Sequence, residues 1–144
     1  MTGPAPMVIT EYISIKSRGN TDVIDITPDC RGIVSSSGIT SGVITVFNPG
    51  STGGLTTIEY EPNLVKDLRD SLDVFAPADK TYEHEKTWHD DNGSSHVRSS
   101  IMGPSISVPF VDGELTLGTW QQVVFCDFDT RPRDRRLVAQ VVGD

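Results

Sequence analysis

Cysteine is scarce in this chain of 144 residues, with Cys30 and Cys126 the only two. A fold built on disulfides shows more cysteine in a shorter chain, so both are expected as free thiols in a reducing compartment. Neither belongs to a CxxC pair, which argues against a cysteine-based zinc site. Long apolar runs are missing as well. Stretches such as "VVF" and "LVAQVV" extend for a few residues only, far short of a bilayer span. The opening "MTGPAPMVIT" lacks the basic and apolar regions of a signal peptide. No membrane association is expected, and the expected location is cytoplasmic. Positive charge is in short supply: 12 Lys and Arg face 20 Asp and Glu, for a formal net charge of −8. That balance repels a phosphate backbone, so no nucleic-acid partner is expected. The one basic cluster, Arg131, Arg133, Arg135 and Arg136 in "RPRDRR", has the charge to hold a small anion. It reads first as a solvated turn before the last strand.

What remains is a soluble globular profile, 36% hydrophobic and 22% charged. The length suits one domain over residues 1–144 with a genuine core. In "VITEYISIK" (8–16), Ile9, Ile13 and Ile15 alternate with polar residues, the pattern of a half-buried strand. "DVIDIT" (22–27) follows after "RGN", which predicts a hairpin. Thr27 and Pro28 open a helix with Cys30, Ile33 and Val34 as its apolar stripe, ending at Gly38. "GVITVFN" and "LTTIEY" read as strands. A second helix runs through "EPNLVKDLRDSLDVFAP", with Leu64, Val65, Leu68, Leu72 and Phe75 at helical spacing. Five further strands are expected at "HVRSSIM", "SISVPF", "ELTL", "WQQVVFCDF" and "RLVAQVV", with Asp112–Gly113 as a hairpin turn. The sum is an α+β domain of short, mainly antiparallel strands with two helices.

The candidate chemistry is concentrated in "YEHEKTWHDDNGSSH". It holds all three histidines, His84, His89 and His96, among Asp90, Asp91 and Asn92. The "DDNG" between can turn the chain back so that His84 and His96 meet, yet nothing matches HExxH, and a polar turn with surface histidines is the simpler reading. In "NPGSTGGLTTIEYE", Gly50, Gly53 and Gly54 let backbone N–H groups crowd together, with Ser51 and Thr52 adding hydroxyls. Such a loop can cradle a phosphate, although it lacks the GK[ST] ending, and a flexible strand connection is the simpler reading. Glu59 in its strand faces solvent, or else faces inward and needs a histidine or metal as partner. Trp120 and Gln121 begin a strand, as core, interface or ligand contacts. No GxSxG serine elbow is present.

The order "YEH…W…DN…SHVRSSIMGPSISVPFVDGELTLGTWQQVVFCDFD", together with "STGGLTTIEYEP", resembles the YjbQ family over nearly the whole chain. The resemblance implies a YjbQ-like β-sandwich of seven or so strands and association as a homotrimer with sheets packed around a threefold axis. It implies a (secondary) thiamine-phosphate synthase, a transferase joining a pyrimidine diphosphate to a thiazole phosphate. Glu59, His84, Asn92 and His96 then stand at the family's catalytic positions and Trp120 and Gln121 in its "GTWQ" element. Ser51 and Thr52 are candidates to bind a small phosphorylated ligand. His84 and His96 are the candidate ligands of a divalent metal, zinc or magnesium. Gly50 stands where many relatives carry a histidine, which leaves two imidazoles rather than three. His89 has no counterpart and reads as a surface residue. The alternative function is a metal- or small-ligand-binding homotrimer without that turnover, and a plainer one is a structural trimer whose histidines only hydrogen-bond.

Overall fold

The computed structural model describes residues 5–144. Residues 1–4, where the decapeptide read for a signal begins, lie outside the described residues. The elements in chain order are β1 (Met7–Ser17), β2 (Asp22–Asp25), α1 (Thr27–Ser37), β3 (Gly42–Phe47), β4 (Gly53–Ile58), α2 (Pro62–Phe75), α3 (His84–Trp88), α4 (Gly93–Met102), β5 (Ser105–Val111), β6 (Glu114–Leu115), β7 (Gln122–Asp127) and β8 (Arg133–Gly143). They form an antiparallel five-stranded sheet, β1-β8-β3-β5-β6, and a three-stranded one, β2-β7-β4. No helix of the described residues is long and apolar enough to cross a membrane.

The layers follow from where each strand puts its apolar side chains. Ile13 and Ile15 of β1, Leu137, Ala139 and Val141 of β8, Ile44 and Val46 of β3, and Val108 and Phe110 of β5 point to one face of the large sheet. They meet Leu55, Val123 and Phe125 of the small sheet, with Cys30 and Val34 of α1 packed at the same core. β7 is buried on both faces. Val123 and Phe125 enter that first core, while Val124 and Cys126 turn the other way to meet Val65, Leu68 and Leu72 of α2 and Met102 of α4. A strand covered on both sides reads as a continuous apolar run, the form "QVVFCDF" takes. Burial pushes the thiols of Cys30 and Cys126 up to about 12, so both remain protonated, free and inert.

Local rules account for most boundaries. Pro28 sits in the first turn of α1, and the Thr27 N–H donates to Asp25 Oδ1 at 2.9 Å. Glu61 caps α2, its carboxylate accepting from the N–H groups of Asn63 and Leu64 at 2.9 and 2.8 Å. Those bonds hold the Glu61 carboxyl below its ordinary value. Phe75, placed in the α2 stripe by its spacing, is instead half exposed. Asp112 and Gly113 take φ of 51° and 78° between paired Val111 and Glu114, the two-residue hairpin turn expected from the sequence.

Two expectations are corrected. β1 and β2 form no hairpin: β1 pairs with β8 in the large sheet and β2 with β7 in the small one. The intervening Gly19, Asn20 and Thr21 all have positive φ, and that turn carries the chain from one sheet to the other. "HVRSSIM" is not a strand but most of α4, and with α3 it brings the helices among the described residues to four. Its inward face is polar rather than apolar. Ser95 donates to the Phe128 carbonyl, Ser99 to the Gly53 carbonyl at 2.6 Å, and Arg98 Nε to the Ala76 carbonyl at 2.9 Å. A helix docked through hydroxyls and a guanidinium leaves no hydrophobic period to detect. Its seat explains a glycine too: a Cβ on Gly54 would lie 2.9 Å from Met102 Cγ and Sδ at the end of α4. The glycine-rich segment is thus partly strand, small because it is tightly packed.

Candidate functional site

Around α3 and the start of α4 the chain folds back on itself, as "DDNG" allows. The rings of His84 and His96 lie with centroids 4.4 Å apart and planes tilted by 37°. Asp90 Oδ1 is 2.8 Å from His84 Nδ1, an orientation in which the imidazole donates to the carboxylate and offers Nε2 to a ligand. With its side-chain nitrogen turned to that carboxylate, Asn92 donates to both Asp90 oxygens at 3.1 and 3.2 Å. The Asp90 carboxylate, which the pattern of the chain did not single out, is thereby the organiser of the group. Its only sequence signal was its place inside "HDDN".

The two imidazoles line a cavity of about 310 Å³ shared with Tyr82, Gly93 and Val97. Tyr82 donates its hydroxyl to the Pro77 carbonyl at 2.7 Å, and burial pushes its phenol up. Its stem presses on the first turn of α4, where a Cβ on Gly93 would come within 2.4 Å of Tyr82 Cβ. His89, in left-handed conformation at the end of α3, is exposed and takes no part.

The other sequence-derived candidates fall elsewhere. Glu59 follows the last residue of β4, exposed to solvent. Near it Gln121 Nε2 donates to Thr57 Oγ1 at 3.1 Å, and Trp120 is 72% exposed. α4 lies against the opposite end of β4, since Ser99 bonds to Gly53 while the Leu55 N–H bonds to Gly103. Glu59 lies six positions along the chain from Gly53, roughly 20 Å of extended strand. Within one chain the histidine pair and the Glu59–Trp120–Gln121 group therefore stand apart.

Ser51 is exposed, but Thr52 is buried and already engaged. Its Oγ1 accepts from Arg135 Nη2 at 2.8 Å and lies 3.3 Å from Asp129 Oδ2. Arg135 in turn grips the fully buried Asp127 through Nε and Nη2, each at 2.8 Å, and Arg133 reaches Asp129 at 2.5 Å. "RPRDRR" is accordingly no solvated turn: two of its arginines neutralise interior carboxylates, and Arg136 stacks 3.8 Å from the Tyr12 ring centre.

One chain does not fit a resident divalent ion. Among the described residues no three His, Cys, Asp or Glu side chains converge on a point that could hold a metal, whereas protein zinc sites use three or four ligands. His84 and His96 supply two imidazoles, and the nearest carboxylate, Asp90, is spent on His84 Nδ1 and Asn92.

Two facing antiparallel sheets with helices packed on the small one define the fold class of this protein. The family model "UPF0047 protein YjbQ-like" matches residues 11–144. A UPF0047 protein of Methanothermobacter thermautotrophicus is 35% identical over 94% of this chain and 93% of its own. The UPF0047 protein YugU of Bacillus subtilis is 35% identical over 91% and 97%. Among solved structures, a YbjQ-like protein of unknown function from Sulfolobus solfataricus superposes with a TM-score of 0.91 at 25% identity, covering 97% of this chain and all of that one. A YjbQ/UPF0047 protein of Clostridium acetobutylicum gives 0.83 at 33% identity, covering 91% and 98%. The chain belongs to the YjbQ-like UPF0047 family.

Proposed function

We propose that this protein is an enzyme of small phosphorylated molecules, with the Asp90–His84–His96 pocket as its acid–base centre and thiamine-phosphate synthesis as its reaction. The observation that carries this reading is the 2.8 Å contact that fixes His84 through Nδ1 with a second imidazole against its ring. A carboxylate that orients one imidazole face leaves the other nitrogen aimed at a reacting group, the arrangement general acid–base catalysis requires. In the proposed reaction the thiazole nitrogen attacks the methylene carbon of the pyrimidine diphosphate, whose C–O bond breaks. The bonding pair leaves with pyrophosphate, and a proton from an imidazole neutralises part of that charge. Mixing the two substrates with the protein should release pyrophosphate and form thiamine phosphate in equal amounts by chromatography. Binding of either substrate without pyrophosphate release would leave a ligand-binding protein instead.

A homotrimer accompanies this reading, supported by the outer face of the large sheet. Across β1, β8, β3 and β5 three rows point away from the core: Val8–Val142–Val43–Pro109, Thr10–Gln140–Thr45–Ser107 and Tyr12–Val138–Phe47–Ser105. None of these residues is charged, and Tyr12 and Phe47 are 51% and 43% exposed in the single chain. The middle row is already knitted by Thr45–Ser107 and Gln140–Thr10 hydrogen bonds of 2.9 and 3.2 Å. A broad exposed face of this kind marks an association surface. Assembly is also a route by which Glu59, Trp120 and Gln121 of one copy can approach the histidines of another, and by which a metal could gain further ligands. The double variant Tyr12→Glu/Phe47→Glu should sediment as a folded monomer where the parent sediments as a trimer. An unchanged sedimentation coefficient would place the contact elsewhere.

A further inference from the structure

A second cavity opens on the other flank of α4, lined by Ser94 and Arg98 where the histidine pocket is lined by Gly93, His96 and Val97. Arg69 and Asp73 of α2, Thr21 and Thr130 also line it, and its volume is about 220 Å³. Three features make it anionophilic. The first turn of α4, a ten-residue helix, has no side-chain cap among the described residues, so its leading N–H groups are open to an acceptor. Ser94 is 4% exposed, faces the cavity, and its hydroxyl has no hydrogen-bond partner among the described residues. Arg69 uses only Nε, donating to the Thr21 carbonyl at 2.8 Å, and its two terminal nitrogens pair with no described carboxylate.

Arg98 differs. Its Nε, Nη1 and Nη2 are all engaged, by the Ala76 carbonyl, Thr21 Oγ1 and Asp73 Oδ1 at 2.9, 2.8 and 2.7 Å. The Asp73 carboxylate faces the same cavity and offsets Arg98, Asp91 accepts from the wall residue Thr130 at 3.1 Å, and Arg69 is the arginine of the wall with no ion pair among the described residues. In a chain of net charge −8, an arginine head with no ion pair among the described residues, beside an unengaged hydroxyl and a helix start without a side-chain cap, is the combination a phosphate needs. The space is below the ~300 Å³ of pockets that enclose a drug-sized ligand, and suits a phosphate group with part of its carrier.

We propose that this cavity is the phosphate-binding subsite of the protein, holding the phosphate of a small phosphomonoester on Arg69, Ser94 and the first turn of α4. The role of phosphate cradle passes to it from the glycine-rich segment, whose Thr52 is committed to Arg135 and Asp129. The proposal deepens the reading of a phosphorylated substrate and rests on it only for the identity of the carrier.

The test is calorimetric titration of the full-length protein with inorganic phosphate, with folding of each variant checked by circular dichroism. Saturable binding of one phosphate per chain is expected, weakened at least tenfold in Arg69→Met. Ser94→Ala, which leaves the Thr21 contacts of Arg69 in place, is expected to weaken it severalfold, and His84→Ala and His96→Ala to leave it unchanged. Absence of saturable binding, or wild-type affinity in Ser94→Ala and in folded Arg69→Met, overturns the subsite. Loss of binding in the histidine variants alone overturns it too, by moving the phosphate to the other flank of α4. If the synthase assay fails while this pattern holds, only the assigned reaction falls.

Discussion

Arg135→Met is expected to lower the free energy of unfolding by about 3–5 kcal/mol at neutral pH, because it strands a carboxylate inside the protein. Asp127 is 0% exposed and Arg135 8%, and two 2.8 Å hydrogen bonds join them. Burial pushes the Asp127 carboxyl up, but the bonds from Arg135, the Asp129 N–H and Ser17 outweigh it and hold the group below its ordinary value. The sign of the pH dependence follows. A carboxyl whose folded pKa is depressed contributes its stability fully above the unfolded value, about 4, and loses it as pH falls through the lower folded value. In Arg135→Met the opposing burial term is left alone, so Asp127 protonates more easily in the folded state and the penalty fades on acidification. Urea midpoints taken from pH 7 down through pH 4 should therefore show a wide gap between parent and variant that narrows as the solution turns acid. A gap that stays constant across that range would mean that the pair is not the source of the loss. Asp127→Asn in the same background should recover part of the stability, since the uncompensated charge is gone.

His96→Ala is expected to reduce pyrophosphate release by about 10²–10⁴-fold, the usual worth of a general acid or base, and His84→Ala by a comparable factor. Both side chains are only partly buried and neither belongs to the two hydrophobic clusters, so the melting temperature should move little. In the proposed reaction Asp90 acts through His84, as a positioning residue. Asp90→Asn should lower kcat by a smaller factor with KM nearly unchanged, whereas a purely structural role would change stability instead. Steady-state rates across the three variants, with melting curves alongside, decide between these. Wild-type turnover in His96→Ala would remove the pocket from the chemistry, whatever the fold.

The two predictions differ in what made them visible. The histidine pair was legible as a local event: three histidines in fifteen residues, with "DDNG" to turn the chain, and the fold does bring His84 to His96. The organiser, Asp90, was not, because one aspartate among several neighbours carries no periodic or compositional mark. Arg135 was misread outright. Its sequence neighbours are polar and charged, and only the pairing of β8 with β1 and β3 shows that Arg135 shares the inward parity of Leu137, Ala139 and Val141.

By itself the sequence determined the strands with alternating or continuous apolar character, the two helices with apolar stripes and proline starts, the Asp112–Gly113 turn and the free state of both cysteines. Each is set by contacts within a few residues or by composition. Tertiary structure alone decided which strands pair, since β1 and β2 are neighbours in the chain yet belong to different sheets. It alone decided that "HVRSSIM" is helical, because the bonds that seat it run to Phe128, Gly53 and Ala76, distant in sequence. It decided too that Glu59 stands apart from the histidines in one chain. The physical reason is common to all three: burial and hydrogen-bond partnership are properties of pairs, and a pair far apart in sequence leaves no local period to read.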